Sequence, residues 1–264
     1  MEHTYQLLVS TMYQNDCSLL ERMNIASDSI IINQCNLTKK DIIDYQGYKI
    51  LVYSLDERGI GLSRNSAMMR ATADIIEFAD DDMILSSSYR EDVLREFEAH
   101  PEADGILFSV ESLNPARPLL KIKKFAKVRW YEALKYGCAR LAIRREKIVY
   151  NNICFSLLFG GGAKYGSGEA TVFLLGCLRA GLKIYKSPIK VADITQENST
   201  WFRGYTEKYF IDKGALFAAA LPKLCYGYAL LSSMHIKISG FRRSKVFRLY
   251  LEGIHAFKKK QYGG

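Results

Sequence analysis

Short apolar runs alternate along most of the chain with longer segments of helical period. Residues 5–10, 29–32 and 49–53 each predict a buried strand. Residues 18–25 predict a helix, with Leu19, Leu20, Met23 and Ile25 apolar between polar neighbours. The polar segment 39–45 reads as a further short helix. A helix opened by Ser63 and running through Ala67, Met68, Met69 and Ala71 follows, then a strand through Ile75, Ile76 and Phe78. Beyond it the pattern predicts a helix at 89–100, strands at 105–110 and 140–146, a helix at 171–180 and a strand at 183–185. Such alternation argues for an α/β fold, a parallel sheet covered by helices on both faces.

The strand through Phe78 stops abruptly at Asp80-Asp81-Asp82. In open α/β sheets the rim beyond the strand ends is where ligands bind. Carboxylates crowded there repel one another, and a divalent cation such as Mg²⁺ or Mn²⁺, which prefers oxygen ligands, would offset them. Alone, such a triplet reads equally well as a solvated turn before the helix that begins near Ser88. Upstream, Gly59 and Gly61 open a loop before a helix, with Arg58 and Arg64 able to add charge-assisted bonds to an oxyanion. The spacing is neither a Walker loop nor a dinucleotide fingerprint. A second glycine-rich loop at 159–168 leads into Glu169 at the start of a helix, and lets backbone approach a ligand closely.

Charge changes the picture of what the chain meets. Net charge is +9, so an anionic partner is expected: a phosphorylated substrate, an acidic membrane or nucleic acid. No finger, helix-turn-helix or RNA-binding pattern accompanies that charge, which makes nucleic acid the weakest of the three. The six cysteines (17, 35, 138, 154, 177 and 225) form no CxxC pair and predict buried free thiols rather than zinc ligands or disulfides. With no signal-peptide pattern at the N-terminus, a cytoplasmic protein is the expectation.

In order, Gly61-Leu62-Ser63-Arg64-Asn65, the acid triplet and the glycine-rich loop ending in Gly168-Glu169 resemble the motifs of family 2 glycosyltransferases, over roughly residues 5–210. Asn198-Ser199-Thr200-Trp201 is similar to a segment many bacterial members carry. The resemblance implies a GT-A fold at 1–204, a nucleotide-binding half fused to an acceptor-binding half, with a basic helical extension at 205–264. It implies inverting transfer of a sugar from a nucleotide-diphosphate donor, UDP-sugars first, to a glycan or lipid-linked acceptor of bacterial surface polysaccharide. Carried over by position, the donor side would be Ser10, Thr11, Asn33, Arg58, Arg64, Asn65, Asp80 and Asp81. Mn²⁺ or Mg²⁺ would sit on Asp82 with Asp80, and Asp193 is the nearest further oxygen. Gly161, Gly162, Gly168 and Trp201 would line the acceptor side, and Glu169 would take the proton from the attacking hydroxyl.

The chain departs from that pattern in two places. Relatives commonly have a second acid after the glutamate, where this chain has Ala170. Either Glu169 is the base, or the protein binds nucleotide-sugars without transferring them. The acidic turn usual after the second strand is replaced by Asn33-Gln34-Cys35-Asn36. In the tail, apolar segments 214–221 and 224–231 are broken by Pro222-Lys223 and followed by a cluster of Lys and Arg. Two readings stand: a helical hairpin on an anionic leaflet at the inner face of the membrane, with residues such as Phe241, Val246 and Tyr250 as its apolar face, or helices packed on the catalytic domain. The tail would serve equally as a homodimer interface.

Overall fold

A computed structural model describes residues 3–196, 204–236 and 238–262 of the chain. Its central strand is β1 (Tyr5–Met12), buried on both faces because apolar residues occupy both parities, Leu7 and Val9 on one side and Leu8 on the other. It pairs in parallel with β2 (Ser29–Gln34) and β5 (Ile75–Asp80), and β2 pairs in parallel with β4 (Tyr48–Leu55). The connections carry α1 (Ser18–Arg22) and α2 (Ile60–Arg70).

Lys39–Tyr45 is not a helix but a strand, β3, antiparallel to β4. Gln46 and Gly47 close the pair with positive φ at both positions (55° and 83°), the two-residue turn whose twist matches that of the strands. Lys39, Lys40, Asp41 and Asp44 suit this outer position, because charge on an edge strand discourages pairing with another chain.

The second half of the sheet is mixed. After β5 come β6 (Met83–Leu85), α3 (Tyr89–Ala99), β7 (Gly105–Ser112), β8 (Ala126–Lys127), a 3-10 turn (Trp130–Lys135), β9 (Leu141–Arg144), α4 (Arg145–Tyr150), α5 (Glu169–Arg179) and β10 (Ile184–Ile194). The strand order is β3-β4-β2-β1-β5-β9-β7-β10-β6, with β8 added on β10. β9 lies antiparallel between β5 and β7. β10 runs nine residues beyond the strand end expected at 185, crossing Ser187-Pro188 through bulges where its register against β7 shifts. The basic segment 119–129 is partly anchored, with Ile122 and Val128 buried and Ala126 and Lys127 in β8.

Each face of the sheet carries its own apolar layer. Tyr5, Leu7, Val9, Ile75 and Ala79 pack with α1 and α3, whose Leu20, Tyr89, Val93 and Phe97 point inward. On the other face Leu8, Ile30, Ile76 and Phe78 meet Ala67 of α2 and Phe173 of α5. That second cluster continues into the tail helices α6 (Glu207–Ala220), α7 (Cys225–His235) and α8 (Arg243–Tyr262), as far as Phe257. Val246, Leu249 and Tyr250 are buried there, so the apolar faces of α6 and α8 cover each other and not a leaflet. The two backbones touch: a Cβ on Gly214 would lie 2.1 Å from the Tyr250 carbonyl oxygen, and one on Gly253 would lie 1.9 Å from that of Ile211. No helix among the described residues is long and apolar enough to cross a membrane. All six cysteines are free thiols, and Cys35, Cys138, Cys177 and Cys225 are buried.

Candidate active site

The carboxyl ends of β1 and β5 lie side by side, Ser10 opposite Asp80. β5 ends there because three successive carboxylates follow its apolar run and have no place inside the sheet. The three diverge. Asp80 Oδ1 accepts from Arg64 Nη2 at 2.8 Å, and Asp81 Oδ2 accepts from the Thr11 hydroxyl at 2.5 Å. Asp82 turns toward β10, its carbonyl oxygen accepting from the Thr195 N–H at 3.0 Å. Burial, and then the negative charges of Asp80 and Asp81, push the Asp82 carboxyl up to about 6. Its Oδ1 is buried and meets no donor among the described residues.

An orphaned, electrostatically strained carboxylate oxygen is what a hard cation would relieve, so Asp82 fits a Mg²⁺ or Mn²⁺ ligand. Among the described residues no three His, Cys, Asp or Glu side chains converge into a complete set. Such an ion would therefore take most of its ligands from a diphosphate and water, as Mg²⁺ does. Asp193, which faces Ile84 of β6 across the sheet, is ion-paired with Lys190 at 2.8 Å.

Arg64 joins the two halves of the site. It is almost wholly buried, over the ring of Phe155, and its Nη1 donates to Glu169 Oε1 at 3.2 Å while Nη2 holds Asp80. Burial works against its charge, but the two carboxylates outweigh that and hold the guanidinium above its ordinary range. Both terminal nitrogens of Arg64 are thus engaged by carboxylates of the chain itself. Glu169 is the first residue of α5, behind Gly168 at φ 113°, where its charge complements the helix N-terminus. Its Oε2 lies against Gly160: a Cβ there would come within 3.0 Å.

Several other expected ligands are engaged by the main chain. The Asn33 amide pairs with both the N–H and the C=O of Gln14 at 2.9 Å, and the Asn65 amide pairs with those of Phe155 at 2.7 and 2.9 Å. Arg58 reaches the carbonyls of Cys35 and Glu57, the Tyr13 hydroxyl and Asn36. Ser63 is not a helix cap but lies inside α2, its hydroxyl on that of Ser10 at 2.9 Å. The α2 N-terminus is also not an open oxyanion cradle. The Gly161 carbonyl accepts from the Ile60 N–H at 3.0 Å, and Gly162 packs on Gly59. The cavity left beside Arg58 and Gly59 holds about 70 Å³, far less than a nucleotide needs. Trp201 lies outside the described residues.

Four residues that the motifs passed over carry charge around these elements. Arg140 is buried two positions before Ala142, which pairs with Glu77 of β5. No carboxylate pairs with it among the described residues, and burial lowers its pKa to about 10. From α6, Asp212 Oδ2 accepts from the Gly166 N–H at 2.9 Å, and Lys208 bonds both Asp212 and the Lys164 carbonyl. Lys213 stands over the Tyr209 ring, its pKa lowered by burial against the attraction of Glu169 and Asp212. A cation without a carboxylate partner inside an apolar run was the available signal.

Comparison with known proteins follows the same outline. The family model for glycosyl transferase family 2 matches residues 18–152, just over half of the chain. Among solved structures the chain is similar to S. aureus TarS 1-349 in complex with UDP-GlcNAc, with a TM-score of 0.62 at 13% identity, covering 97% of this chain and 74% of that one. The same TarS fragment in complex with UDP gives 0.61 at 14% identity, covering 98% and 92%. S. aureus TarS itself gives 0.63 at 12% identity, covering 97% and 55%. At these identities the likeness speaks for the fold, a GT-A arrangement. No curated protein sequence matches the chain.

Proposed function

Since the chain belongs to glycosyl transferase family 2, we propose that it moves a sugar from a nucleotide-diphosphate donor, of the UDP-sugar class, to a hydroxyl of a glycan or lipid-linked acceptor of the surface-polysaccharide kind. One observation carries the reading. A single guanidinium, that of Arg64, holds the carboxylate at the end of β5 and the carboxylate at the start of α5, so donor-side and acceptor-side acids face one point. The UDP-GlcNAc and UDP complexes of TarS, a structure of the same fold, support the choice of donor class.

The chemistry follows from the residue types. Glu169, fixed through Oε1 by Arg64, takes the proton of the acceptor hydroxyl as its oxygen attacks the anomeric carbon. The bond from that carbon to the diphosphate breaks on the opposite side, which inverts the centre. Lys213 adds positive charge within electrostatic reach of Glu169. A Mn²⁺ or Mg²⁺ held by Asp82, when bound, would act as Lewis acid on the diphosphate. Gly160 keeps the space against Glu169 Oε2 free of a side chain.

Ala170 favours a second reading, a nucleotide-sugar-binding protein without transfer, because the position after Glu169 has no acid. A screen of nucleotide-sugars for thermal stabilisation and donor hydrolysis, with and without Mn²⁺, separates the two. Turnover in the wild type that disappears in Glu169→Gln supports transfer, and stabilisation with no turnover on any acceptor supports the second reading. No response to any donor, with Asp82→Ala run as control, would overturn both.

A further inference from the structure

α7 has an outward face unlike that of any other helix here. Its buried side is Cys225, Ala229 and Ser233, and at helical spacing everything opposite is apolar or uncharged. Leu224, Tyr226, Tyr228, Leu230, Leu231 and Met234 are each between 37% and 58% exposed, with Gly227 and His235 between them. The eleven-residue helix contains no Asp, Glu, Lys or Arg. At Leu224 this surface runs into an apolar groove of about 400 Å³ lined by Leu175, Leu178, Leu221, Pro222 and Trp130, itself half exposed. Contiguous exposed apolar surface of this kind marks a site of interaction.

The charge around it identifies the partner. From Lys223 to Leu251 the chain has six Lys or Arg, of which Lys245 pairs with Glu207, and no Asp or Glu. Two of the bordering cations are placed by contacts: Lys223 lines the groove, and the Lys258 Nζ sits 4.5 Å over the exposed Tyr226 ring. Arg242 and Arg243 are exposed at the start of α8. A second copy of the chain is a poor occupant, because a two-fold contact would set this basic border against itself. A surface with apolar interior and negative headgroups satisfies both features at once.

We propose that the outward face of α7 docks on an anionic lipid surface, with Leu224, Leu230, Leu231 and Met234 in the acyl boundary and the surrounding cations at the headgroups. The contact is peripheral, since α7 is too short to span a bilayer and α6 and α8 remain packed on the domain.

Flotation of the full chain with phosphatidylcholine vesicles, with and without phosphatidylglycerol, tests this directly. Binding should require phosphatidylglycerol, weaken as salt is raised, and fall by about tenfold or more in the double variant Leu230→Glu/Leu231→Glu. Because both side chains are exposed, the variant should keep the wild-type melting temperature and donor hydrolysis. The conservative pair Leu230→Met/Leu231→Met should float as wild type does. Equal binding of wild type and the glutamate variant, equal binding to uncharged vesicles, or no binding to either vesicle would overturn the proposal. So would a stable dimer of the wild type that the glutamate variant dissolves.

Discussion

Arg64 and Glu169, 105 positions apart in the chain, meet at 3.2 Å in the interior of the site, and the same guanidinium holds Asp80 at 2.8 Å. A planar fork can hold two carboxylates at once in a way that an ammonium does not. Arg64→Lys is therefore expected to fold but to lose donor turnover by about a hundredfold, through misplacement of Glu169. Arg64→Ala should also lower stability by about 2–3 kcal/mol in denaturant unfolding, the usual cost of an orphaned buried charge reduced because Asp80 is a third exposed. A full rate in Arg64→Lys would remove the positioning role.

Asp82 stands in the opposite relation to its neighbours. Asp82→Asn removes a buried carboxylate repelled by Asp80 and Asp81, so the free protein should gain about 1 kcal/mol. The same variant should show no Mn²⁺-dependent rise in melting temperature with UDP. A thermal shift series with UDP, with Mn²⁺ and with both checks the two expectations together.

Arg140 is buried with no carboxylate partner among the described residues, and under the proposed function its charge would meet the donor. Arg140→Met should leave the fold at least as stable, since an unpaired buried cation is replaced by an apolar chain of similar length. The dissociation constant for the nucleotide donor should rise about tenfold or more, and titration calorimetry of both proteins would show it.

Glu77 sets a pH dependence remote from the chemistry. Its carboxyl lies inside the α1 and α3 layer, where Tyr5 donates to Oε2 at 2.5 Å and Oε1 has no partner. Burial raises it from 4.5 to about 7, against the Tyr5 bond. Between those values the folded chain holds a proton that the unfolded chain releases, so stability falls as pH rises through that window. The loss should amount to about 3 kcal/mol, and Glu77→Gln should abolish it. Denaturant unfolding at several pH values distinguishes the two proteins.

Gly253 tests the attachment of the tail. Gly253→Ala would drive a methyl to 1.9 Å from the Ile211 carbonyl oxygen, displacing α8 from α6. A loss of about 3 kcal/mol is expected. Because Asp212 and Lys213 follow Ile211 directly, donor turnover should fall as well.

The alternation of strands and helices, the acids at the end of β5 and Glu169 at a helix start were all legible in the sequence, because each is a local pattern. At β3, Asp41 and Asp44 flank Ile42 and Ile43 and mask the alternation of an edge strand, while the Gln46-Gly47 turn is the better signal. β10 was cut short at the residues before Pro188, which only a bulge accommodates. Asn33, Asn65 and Arg58 have the chemistry of ligands, yet each is engaged in part by main-chain groups that no sequence pattern reveals. Asp212 reaches the glycine loop only through the packing of α6, a tertiary fact.

Sharing Arg64 between Asp80 and Glu169 also constrains the energetics of the two substrates. A donor that draws Asp80 away from the guanidinium changes how firmly Glu169 is held, and therefore how well the acceptor binds. Thermodynamic linkage requires the acceptor to alter donor affinity by the same factor. Under the proposed function the donor and acceptor sites would be coupled through one side chain, and cooperativity between the substrates would follow from the resting fold.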